Sequence, residues 1–389
     1  MKKILIVYPR MTIGGSTTSL LGVLSIINYK EFDVDLLLYK KEGDLINQIP
    51  KEVNILEAAC KCSSVGKERL YKTLHPLTLL KKIQSRVIAK RSQYPLVESQ
   101  LMCYENARLS RKLDREYDIA IAFLEGWPSI YVSKYIIAKK KIAWVHVDYV
   151  NAGYDPKYDE EMYKRFDNIV SVSEKCLFNL KSTFPSCAEK MCYIGNISDI
   201  NSIISKSKQE IDFKINDDYI NLISVCRLSM RTKGLDRMIE FVFQCVETGS
   251  LKVRWYVLGT GPDESYIRAL IHQRKIQEYV YLLGEKKNPF PYMKIMDAFV
   301  LLSRYEGKPV VVTEAEVLQL PVYVTEYSSA HEQIVNGENG YILPNDDSLC
   351  IDMLMKLLKN GSIERLRETI NNNGFNFESD IKKIYSLID

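Results

Sequence analysis

The hydrophobic pattern of the first half alternates between short apolar runs and longer segments with helical spacing. The apolar runs are residues 3–8, 34–39, 119–123, 141–145 and 169–172. They are rich in Val, Ile and Leu, as buried strands are. After the first run, Gly14-Gly15 opens a segment in which apolar residues from Leu20 to Ile27 recur at helical spacing. Strand, turn, helix and strand in this order predict a parallel βαβ unit.

The second half repeats this alternation. Its apolar runs are residues 220–225, 252–258, 280–283, 298–302, 322–325 and 341–343. Each gap is long enough for a helix, so both halves predict parallel sheets whose ligand sites lie beyond the carboxyl ends of the strands. The polar residues 201–218 predict a linker between an N-terminal domain over 1–200 and a C-terminal domain over 219–372. We expect residues 373–389 to form a helix that packs back towards the N-terminal domain.

The segment from Ser303 to Ala315 carries the clearest candidate chemistry. Glu306 and Glu314 flank a Gly-Lys-Pro turn, which follows an apolar run and precedes a helix start at Pro309. Unpaired backbone N–H groups at a helix start bind anions such as phosphate. Carboxylates instead accept hydrogen bonds from hydroxyl groups. A ligand with both phosphates and sugar hydroxyls would satisfy both kinds of group.

This segment resembles the E-x7-E signature of the retaining glycosyltransferases of family 4, in which seven residues separate two glutamates. Other motifs of that family occur along the chain in the family's order. They are Ile13-Gly-Gly-Ser16, Trp144-Val-His146, the Arg-Leu and Lys-Gly pairs within 225–236, Leu258-Gly-Thr-Gly-Pro262 and the segment 332–340. The resemblance implies an α/β protein with the GT-B fold, in which the parallel sheets of two Rossmann-like domains face a central cleft.

The resemblance also assigns a donor-binding set. Arg227 and Lys233 match the cations that bind the nucleotide diphosphate in that family. Glu314 matches the glutamate that binds ribose hydroxyls, and Glu306 the one that contacts the transferred sugar. The full donor set is Gly14, Gly15, Arg227, Lys233, Gly284, Glu306, Gly307, Lys308, Pro309, Val310 and Glu314. Lys308 replaces an aromatic residue of many relatives, and its charge either touches phosphate or faces water.

Polar residues near the strand ends of the first half supply further candidates. In the resemblance, His146 contacts the donor sugar, and a structural histidine is the alternative. The catalytic candidates are therefore Glu306, His146, Arg227 and Lys233. Asp148 either orients His146, meets the acceptor hydroxyl or caps a turn. Glu125 is a second candidate on the acceptor side.

The residues after Pro309 oppose a helix locally. Val310, Val311, Val312 and Thr313 are β-branched and favour a strand. The helix prediction rests on the family resemblance and on the Glu-Ala-Glu-Val-Leu pattern that follows. Tertiary packing must therefore override local preference here.

Length and composition limit the class of protein. A chain of 389 residues exceeds what one hydrophobic core supports, so two domains are expected. A net charge of +4 is modest. No apolar run approaches the ~20 residues of a membrane span or forms a signal-peptide core, so we expect a cytoplasmic protein. The nine cysteines lack paired metal-ligand spacing and predict reduced thiols.

The segment 67–91 is strongly basic and contains one acid, Glu68. Its basic residues are Lys67, Arg69, Lys72, Lys81, Lys82, Arg86, Lys90 and Arg91, and its apolar stripe is Leu79, Ile83 and Val87. Spacing by four residues predicts one helix with an apolar stripe and a basic stripe. Either this helix lies on an anionic membrane surface, where a lipid-linked acceptor would be found, or the stripe packs onto the domain core.

The resemblance implies a retaining glycosyltransferase that uses a nucleotide-sugar, first among them a UDP-sugar. Its acceptor would be a glycan or lipid-linked molecule in surface polysaccharide or glycoconjugate synthesis. Arg227, Lys233 and helix starts would carry the diphosphate charge, so we expect neither a metal nor another cofactor, and no nucleic acid partner. The alternative is a non-catalytic GT-B subunit that binds glycan or stabilises another transferase. A Rossmann-type oxidoreductase would need G-x-G-x-x-G after the first strand, which Gly14-Gly15-Ser16 does not supply.

Overall fold

The computed structural model describes residues 1–58, 76–370 and 377–389, and these residues divide into two compact units. The first unit comprises the described residues of Met1–Ile197 together with Phe377–Asp389. The second comprises the described residues of Ser198–Asn376. Each unit has its own sheet and its own hydrophobic core.

Seven parallel strands form the sheet of the first unit. They are β1 (Lys2–Tyr8), β2 (Phe32–Leu38), β3 (Asn54–Glu57), β4 (Glu116–Ala122), β5 (Ile137–Val145), β6 (Asn168–Ser171) and β7 (Met191–Tyr193). Their order across the sheet is β3-β2-β1-β4-β5-β6-β7, and each neighbouring pair runs parallel. The predicted parallel arrangement of this half is confirmed.

Helices connect these strands, as parallel pairing requires. The α-helices of the first unit are Gly15–Ile26, Pro76–Arg91, Val97–Leu109, Trp127–Tyr135, Tyr149–Ala152, Pro156–Tyr163, Glu174–Thr183 and Glu378–Ile388, and the 3₁₀ helices are Ile46–Gln48 and Pro185–Lys190. Across both units, none of the helices in the described ranges has the length and apolarity needed to cross a bilayer.

The second unit is built on a sheet of six parallel strands. They are β8 (Ile220–Val225), β9 (Val253–Leu258), β10 (Val280–Leu282), β11 (Ala298–Leu301), β12 (Val322–Thr325) and β13 (Gly340–Leu343), in the order β10-β9-β8-β11-β12-β13. Its helices are Ile200–Ser207, Met230–Lys233, Leu235–Thr248, Glu264–Gln273, Phe290–Lys294, Val310–Val317, Ala330–Gln333, Asp347–Lys359 and Ser362–Thr369. The α/β fold class, with one parallel sheet in each half, is therefore confirmed.

The central strands of both sheets are buried on both faces. In β1, Ile4 and Ile6 pack in one hydrophobic cluster, whereas Leu5 and Val7 pack in another. Alternate residues of a strand point to opposite faces, so these clusters cover the two sides of the sheet. The residues of β11 divide between two clusters in the same way. This double burial explains why the strands read as continuous apolar runs.

Two segments expected to join or close the domains are helical. Within the predicted linker lies the helix Ile200–Ser207, whose start is capped by Asp199 and whose Ile203 is buried in the core of the second unit. Its serines and lysines make the segment look polar, although one face is apolar. The helix Glu378–Ile388 groups with the first unit, where Ile384 and Ile388 are buried.

The apolar pattern does not predict β3 or β7, the two edge strands of the first sheet. They contain four and three residues, and the side chains of β3 are all at least partly exposed. Short, half-exposed strands lack the continuous apolar run that marks a buried one. Their place is set by pairing with β2 and β6.

We predict that Ile384→Ala lowers the free energy of unfolding by about 2–5 kcal/mol, because it leaves a cavity in the core of the first unit. Lys382→Ala on the same helix is the matched control, since Lys382 is exposed. The control should change the free energy by less than about 0.5 kcal/mol. Urea unfolding measures both, and equal effects would contradict the packing of this helix.

Candidate functional site

The second sheet reverses its strand order between β8 and β11. From β8 the chain continues to β9 on one side, and from β11 it continues to β12 on the other. In open parallel sheets, ligands bind in the crevice that such a reversal leaves beyond the carboxyl ends of the strands. Residues 226–234 follow β8 and residues 302–309 follow β11, so both candidate segments begin at this crevice.

Lys233 and Glu306 bring the two segments into contact. The Nζ atom of Lys233 lies 2.5 Å from Oε1 of Glu306, and the Ser303 hydroxyl donates to the same oxygen at 2.6 Å. Burial alone would lower the pKa of Lys233, but the charge of Glu306, the charge of Cys226 and the hydrogen bond to Glu306 together leave the pKa above its usual value. A cation and a carboxylate, both largely shielded from water, therefore lie side by side at the crevice.

The residue after Lys233 must be glycine for this contact to form. Gly234 has a positive φ of 60°, and a Cβ atom there would lie 2.0 Å from the carbonyl oxygen of Leu302. A side chain at this position would force the segment after β8 away from the segment after β11. The Lys-Gly pair of the sequence thus combines a charge with the close backbone approach that places it.

The glycine turn 258–262 supports the segment that carries Arg227. A Cβ atom on Gly259 would lie 2.0 Å from the carbonyl oxygen of Cys226, and one on Gly261 would lie 2.2 Å from that of Leu228. Both glycines are therefore required by backbone packing within the unit. Arg227 itself is exposed at the start of the segment.

The other donor-set glycines differ in what their backbone requires. Gly284 has a φ of 71°, a left-handed conformation that favours glycine, and its carbonyl accepts from the N–H of Gly259 at 2.9 Å. Gly14 is extended, and a Cβ atom added to it would meet nothing within 4 Å. Gly15 begins the first helix of its unit. The left-handed backbone thus accounts for glycine at position 284, whereas neither backbone conformation nor packing among the described residues requires glycine at position 14.

Glu314 is buried on the helix Val310–Val317. Burial raises its pKa to about 7, and the charge of Lys206 limits the rise. Among the described residues, no side chain or backbone group donates a hydrogen bond to this carboxylate. A buried carboxylate without a donor is costly, and it becomes favourable when hydroxyl groups reach it.

The valine run before Glu314 is helical because it is buried. Val310 is 5% exposed and Val312 is fully buried, packed in the same core as Ala315. This burial overrides the strand preference of β-branched residues. Pro309 is the N-cap, so the helix begins at Val310, one position after the predicted start, and no side chain among the described residues caps its first turn.

Lys308 neither faces open water nor stands alone. Its side chain is 16% exposed, and its Nζ atom lies 3.6 Å from Oε2 of Glu332. The Gln333 amide donates to the carbonyl of Pro309 at 3.1 Å, so two neighbours on one helix hold the Gly307–Pro309 turn. Sequence analysis left open whether the charge of Lys308 touches phosphate or faces water. In the structure this charge is paired with the carboxylate of Glu332.

In the first unit, His146 and Glu125 lie together after β5 and β4. The backbone N–H of His146 donates to Oε2 of Glu125 at 3.0 Å. Burial lowers the pKa of His146 to about 3, despite a hydrogen bond to the Phe123 backbone, so the imidazole is neutral at physiological pH. Its buried Nε2 has no hydrogen-bond partner among the residues that the structure describes. Burial also raises the pKa of Glu125.

Asp148 caps the short helix Tyr149–Ala152. It is 1% exposed, and its carboxylate accepts from the Asn151 side chain at 2.8 Å and the Asn179 side chain at 3.3 Å. The cap is therefore present in the structure, and the acceptor role of Asp148 stays a prediction.

The single Asp-x-Asp in the sequence, Asp33-Val34-Asp35, lies in β2. The carboxylate of Asp35 accepts from Asn54 at 2.6 Å, Arg115 at 3.1 Å and Tyr117 at 2.7 Å. These bonds tie β2 to its surroundings in the first unit. Within 1–58, 76–370 and 377–389, no three His, Cys, Asp or Glu side chains are grouped to hold a metal.

Sequence reasoning missed the residues that hold the candidate side chains. Ser303 bonds to Glu306, and Glu332 and Gln333 hold the turn before Pro309. Arg304 links the two segments at the crevice. Only Ser303 had a local signal, because it lies three residues from its partner. The other contacts join residues more than twenty positions apart.

Comparison with known proteins adds a family match and a fold. Residues 205–377 match the family model described as glycosyl transferases group 1. The chain is 28% identical over 171 residues to the capsular polysaccharide biosynthesis glycosyltransferase CapM of Staphylococcus aureus, covering 44% of each chain. It is 27% identical over 187 residues to the N-acetylgalactosamine-N,N'-diacetylbacillosaminyl-diphospho-undecaprenol 4-alpha-N-acetylgalactosaminyltransferase of Campylobacter jejuni, covering 48% of this chain and 49% of that protein. The chain spans about half the length of the curated relatives it matches.

Solved structures resemble the chain over its full length. HepE of Anabaena, crystallised with UDP and glucose, has a TM-score of 0.68 at 17% identity and covers 100% of this chain and 99% of its own. A glycosyltransferase from Rickettsia africae has a TM-score of 0.64 at 16% identity and covers 99% of this chain and 97% of its own. The chain therefore has the GT-B fold, and its residues 205–377 carry the sequence pattern of the glycosyl transferases group 1.

Proposed function

We propose that the protein is a retaining glycosyltransferase of family 4 that moves a sugar from a nucleotide-sugar, with a UDP-sugar as the first candidate. The observation that carries this proposal is the contact of Lys233 with Glu306 at the strand-order reversal. The segment of Glu306 leads to Glu314, whose buried carboxylate accepts no hydrogen bond from the described residues. The acceptor is proposed to be a glycan or lipid-linked molecule of surface polysaccharide or glycoconjugate synthesis.

The three charged residues suit three parts of such a donor. Lys233 and Arg227 offer positive charge to the diphosphate, as a movable point charge and a planar fork of donors. Glu314 accepts the ribose hydroxyls, which supplies the hydrogen bonds that its carboxylate lacks. Glu306 meets hydroxyls of the transferred sugar. When the donor binds, the ammonium of Lys233 is shared between Glu306 and the phosphates.

The proposed transfer relies on cations of the chain. Lys233, Arg227 and the start of helix Val310–Val317 stabilise the charge that grows on the leaving diphosphate. The leaving phosphate accepts the proton of the acceptor hydroxyl on the same face of the sugar, which retains the anomeric configuration. Transfer is accordingly expected to persist in EDTA. By the same family resemblance, Gly14, Gly15 and His146 of the first unit are proposed to contact the donor.

Names of similar proteins support the donor and acceptor classes. HepE was crystallised with UDP and glucose, and CapM is named for capsular polysaccharide biosynthesis. The Campylobacter jejuni relative is named for an acceptor that carries a diphospho-undecaprenol. The alternative is a non-catalytic subunit with this fold that binds glycan or stabilises another transferase. Such a subunit would not need the pair of Lys233 and Glu306, so the presence of this pair favours the transferase.

We predict that Lys233→Ala weakens UDP binding about 10- to 100-fold and abolishes sugar transfer, because a charge-assisted bond to phosphate is lost. Isothermal titration with UDP measures the binding, and transfer assays with a panel of UDP-, GDP-, ADP- and dTDP-sugars measure the transfer. Lys252→Ala, an exposed lysine of the same unit, is the matched control and should retain parental activity. Parental transfer by Lys233→Ala would refute the phosphate assignment. Wild-type protein that binds UDP yet transfers and hydrolyses no donor would favour the non-catalytic alternative.

We predict that uridine binding tightens as the pH rises from about 6 to about 8, because ribose hydroxyls donate to the ionised form of a carboxyl whose pKa is raised to about 7. Uridine has ribose hydroxyls and no phosphate that titrates in this range. Glu314→Gln should bind uridine weakly and with no dependence on pH over this range. An unchanged pH dependence in Glu314→Gln would remove Glu314 from the ribose site.

The same carboxyl gives a second, ligand-free readout. Its pKa in the folded protein lies above the ordinary value of 4.5, so the proton favours folding and stability falls as the pH rises from about 4.5 to about 7. Glu314→Gln removes the ionised form, and it should raise Tm at about pH 8 while changing it little at about pH 4.5. A variant that is stabilised but cannot bind uridine marks a residue kept for function.

We further propose that the helix Pro76–Arg91 lies on an anionic membrane surface. The apolar stripe of this helix is exposed, with Leu79 49%, Ile83 52% and Val87 47% exposed, whereas Thr78 and Ser85 are buried. A helix that packed its apolar stripe on the core would show the opposite arrangement. The prediction covered 67–91, of which 67–75 lie outside the described residues.

Charge supports the choice of surface. The described helix contains five basic residues and no acid. They are Lys81, Lys82, Arg86, Lys90 and Arg91, and all are exposed. Each basic residue near an anionic leaflet contributes about 1 kcal/mol of attraction, and the apolar stripe adds insertion into the headgroup region. A lipid-linked acceptor would then be presented at the same surface.

We predict that the protein floats with vesicles that contain anionic phosphatidylglycerol and not with neutral phosphatidylcholine vesicles, and that high salt weakens the binding. The double variant Leu79→Ser/Ile83→Ser should reduce binding at least tenfold, since the apolar contact is lost. Ile137→Ser is the matched control, because Ile137 is an exposed apolar residue elsewhere on the first unit. Failure of the wild-type protein to float with anionic vesicles would refute the membrane proposal.

A further inference from the structure

Arg304 joins the two segments of the candidate site by hydrogen bonds. Its backbone N–H donates to the carbonyl of Thr232 at 2.9 Å, and its Nη1 atom donates to the carbonyl of Met230 at 3.0 Å. Arg304 lies two residues before Glu306, and Met230 lies three residues before Lys233. A single residue of the segment after β11 thus binds the short helix that carries the candidate phosphate cation.

Two carboxylates hold the Arg304 guanidinium in place. Asp236 accepts from Nη1 at 3.0 Å and from Nη2 at 2.6 Å, and Asp347 accepts from Nη2 at 2.9 Å. The hydrogen bonds of Asp236 contribute most to a pKa of Arg304 above its ordinary value. Paired, fork-shaped hydrogen bonds fix the direction of the guanidinium as well as its charge.

The helix Met230–Lys233 depends on such outside contacts. It has four residues, Ser229 makes no side-chain cap to it, and one turn of helix is unstable alone. At its start, the N–H of Met230 donates to Asp263 at 2.9 Å. Arg304 binds the carbonyls of the same turn, so the helix is held by donors and acceptors from two directions.

A neighbouring arginine provides a contrast within the same network. Arg237 is 3% exposed and donates to Asp347, to the Leu302 carbonyl and to Asn345. None of its side-chain hydrogen bonds reaches the Met230–Lys233 helix. Arg237 therefore anchors the end of β11 to the unit, whereas Arg304 connects that end to the Lys233 helix.

We propose that Arg304 is a positioning residue for donor binding. Its bonds to Met230 and Thr232 hold the helix so that the ammonium of Lys233 stays at the crevice beside Glu306. The inference rests on the proposed function, because the ligand that it positions Lys233 to meet is a nucleotide diphosphate. Arg304 acts through Lys233, and its own charge is directed at Asp236 and Asp347.

Binding of UDP and uridine to four variants tests this role. Arg304→Met should weaken UDP binding about tenfold and leave uridine binding within about twofold, because only the diphosphate contact is displaced. Asp236→Asn should also weaken UDP binding, although loss of a negative charge by itself would strengthen the attraction for an anion. The double variant Arg304→Met/Lys233→Met should bind UDP as Lys233→Met alone does, since both changes remove one interaction.

Three results would overturn the inference. Additive losses in the double variant would mean that Arg304 contacts the diphosphate itself. Tighter UDP binding by Asp236→Asn would mean that the net charge near the site, and not the position of the Lys233 helix, determines UDP affinity. Parental UDP affinity in an Arg304→Met protein of lower Tm would leave Arg304 a purely structural role.

Hydrogen exchange separates this inference from the proposed function. In ligand-free protein, backbone amides of residues 230–234 should exchange at least fivefold faster in Arg304→Met and Asp236→Asn than in the parent. Arg367→Met, which breaks the 2.8 Å pair with Asp297 in the same unit, is the matched control and should leave these amides unchanged. Unchanged exchange in Arg304→Met refutes the positioning role. If the wild-type protein binds no UDP, the nucleotide-sugar proposal is refuted. The exchange experiment then still tests whether Arg304 holds the Met230–Lys233 helix, because it needs no ligand.

Discussion

The contact between Lys233 and Glu306 is the interaction on which the candidate site depends. It joins two chain segments that leave adjacent strands, β8 and β11, at the place where the strand order reverses. The close approach requires Gly234, because any Cβ atom there would collide with the backbone after β11. Charge, strand order and a glycine thus act together to place the ammonium of Lys233 beside the carboxylate of Glu306.

Around this contact, the unit keeps polar groups that its own stability does not favour. Burial raises the pKa of Glu314 to about 7 and that of Glu316 to about 8, and the two residues share one helix. Glu316 accepts a hydrogen bond from Asn339, whereas Glu314 has no such donor in the described ranges. Glu316 is therefore a structural carboxylate, whereas Glu314 is suited to accept hydrogen bonds from an incoming ligand. In the other unit, the buried Nε2 of His146 likewise finds no hydrogen-bond partner within the described part of the chain.

The sequence was most informative where burial is complete. Central strands such as β1 and β11 read as continuous apolar runs, and their ranges were predicted within a few residues. Edge strands β3 and β7 gave no signal, because short strands that are open to water need no apolar run. The helix Ile200–Ser207 was not predicted, because its serines and lysines make the segment polar and leave only one narrow apolar face.

By itself the sequence determined the two parallel α/β sheets and the order of the motifs, because hydrophobic periodicity and glycine spacing are local properties of the chain. It also placed Lys233 and Glu306 after strands of the second half, whereas the order that makes β8 and β11 neighbours belongs to the folded sheet. Only the tertiary structure decided that Lys308 pairs with Glu332 and that Arg304 joins two segments. These facts depend on contacts between residues distant in sequence, and no periodicity records them.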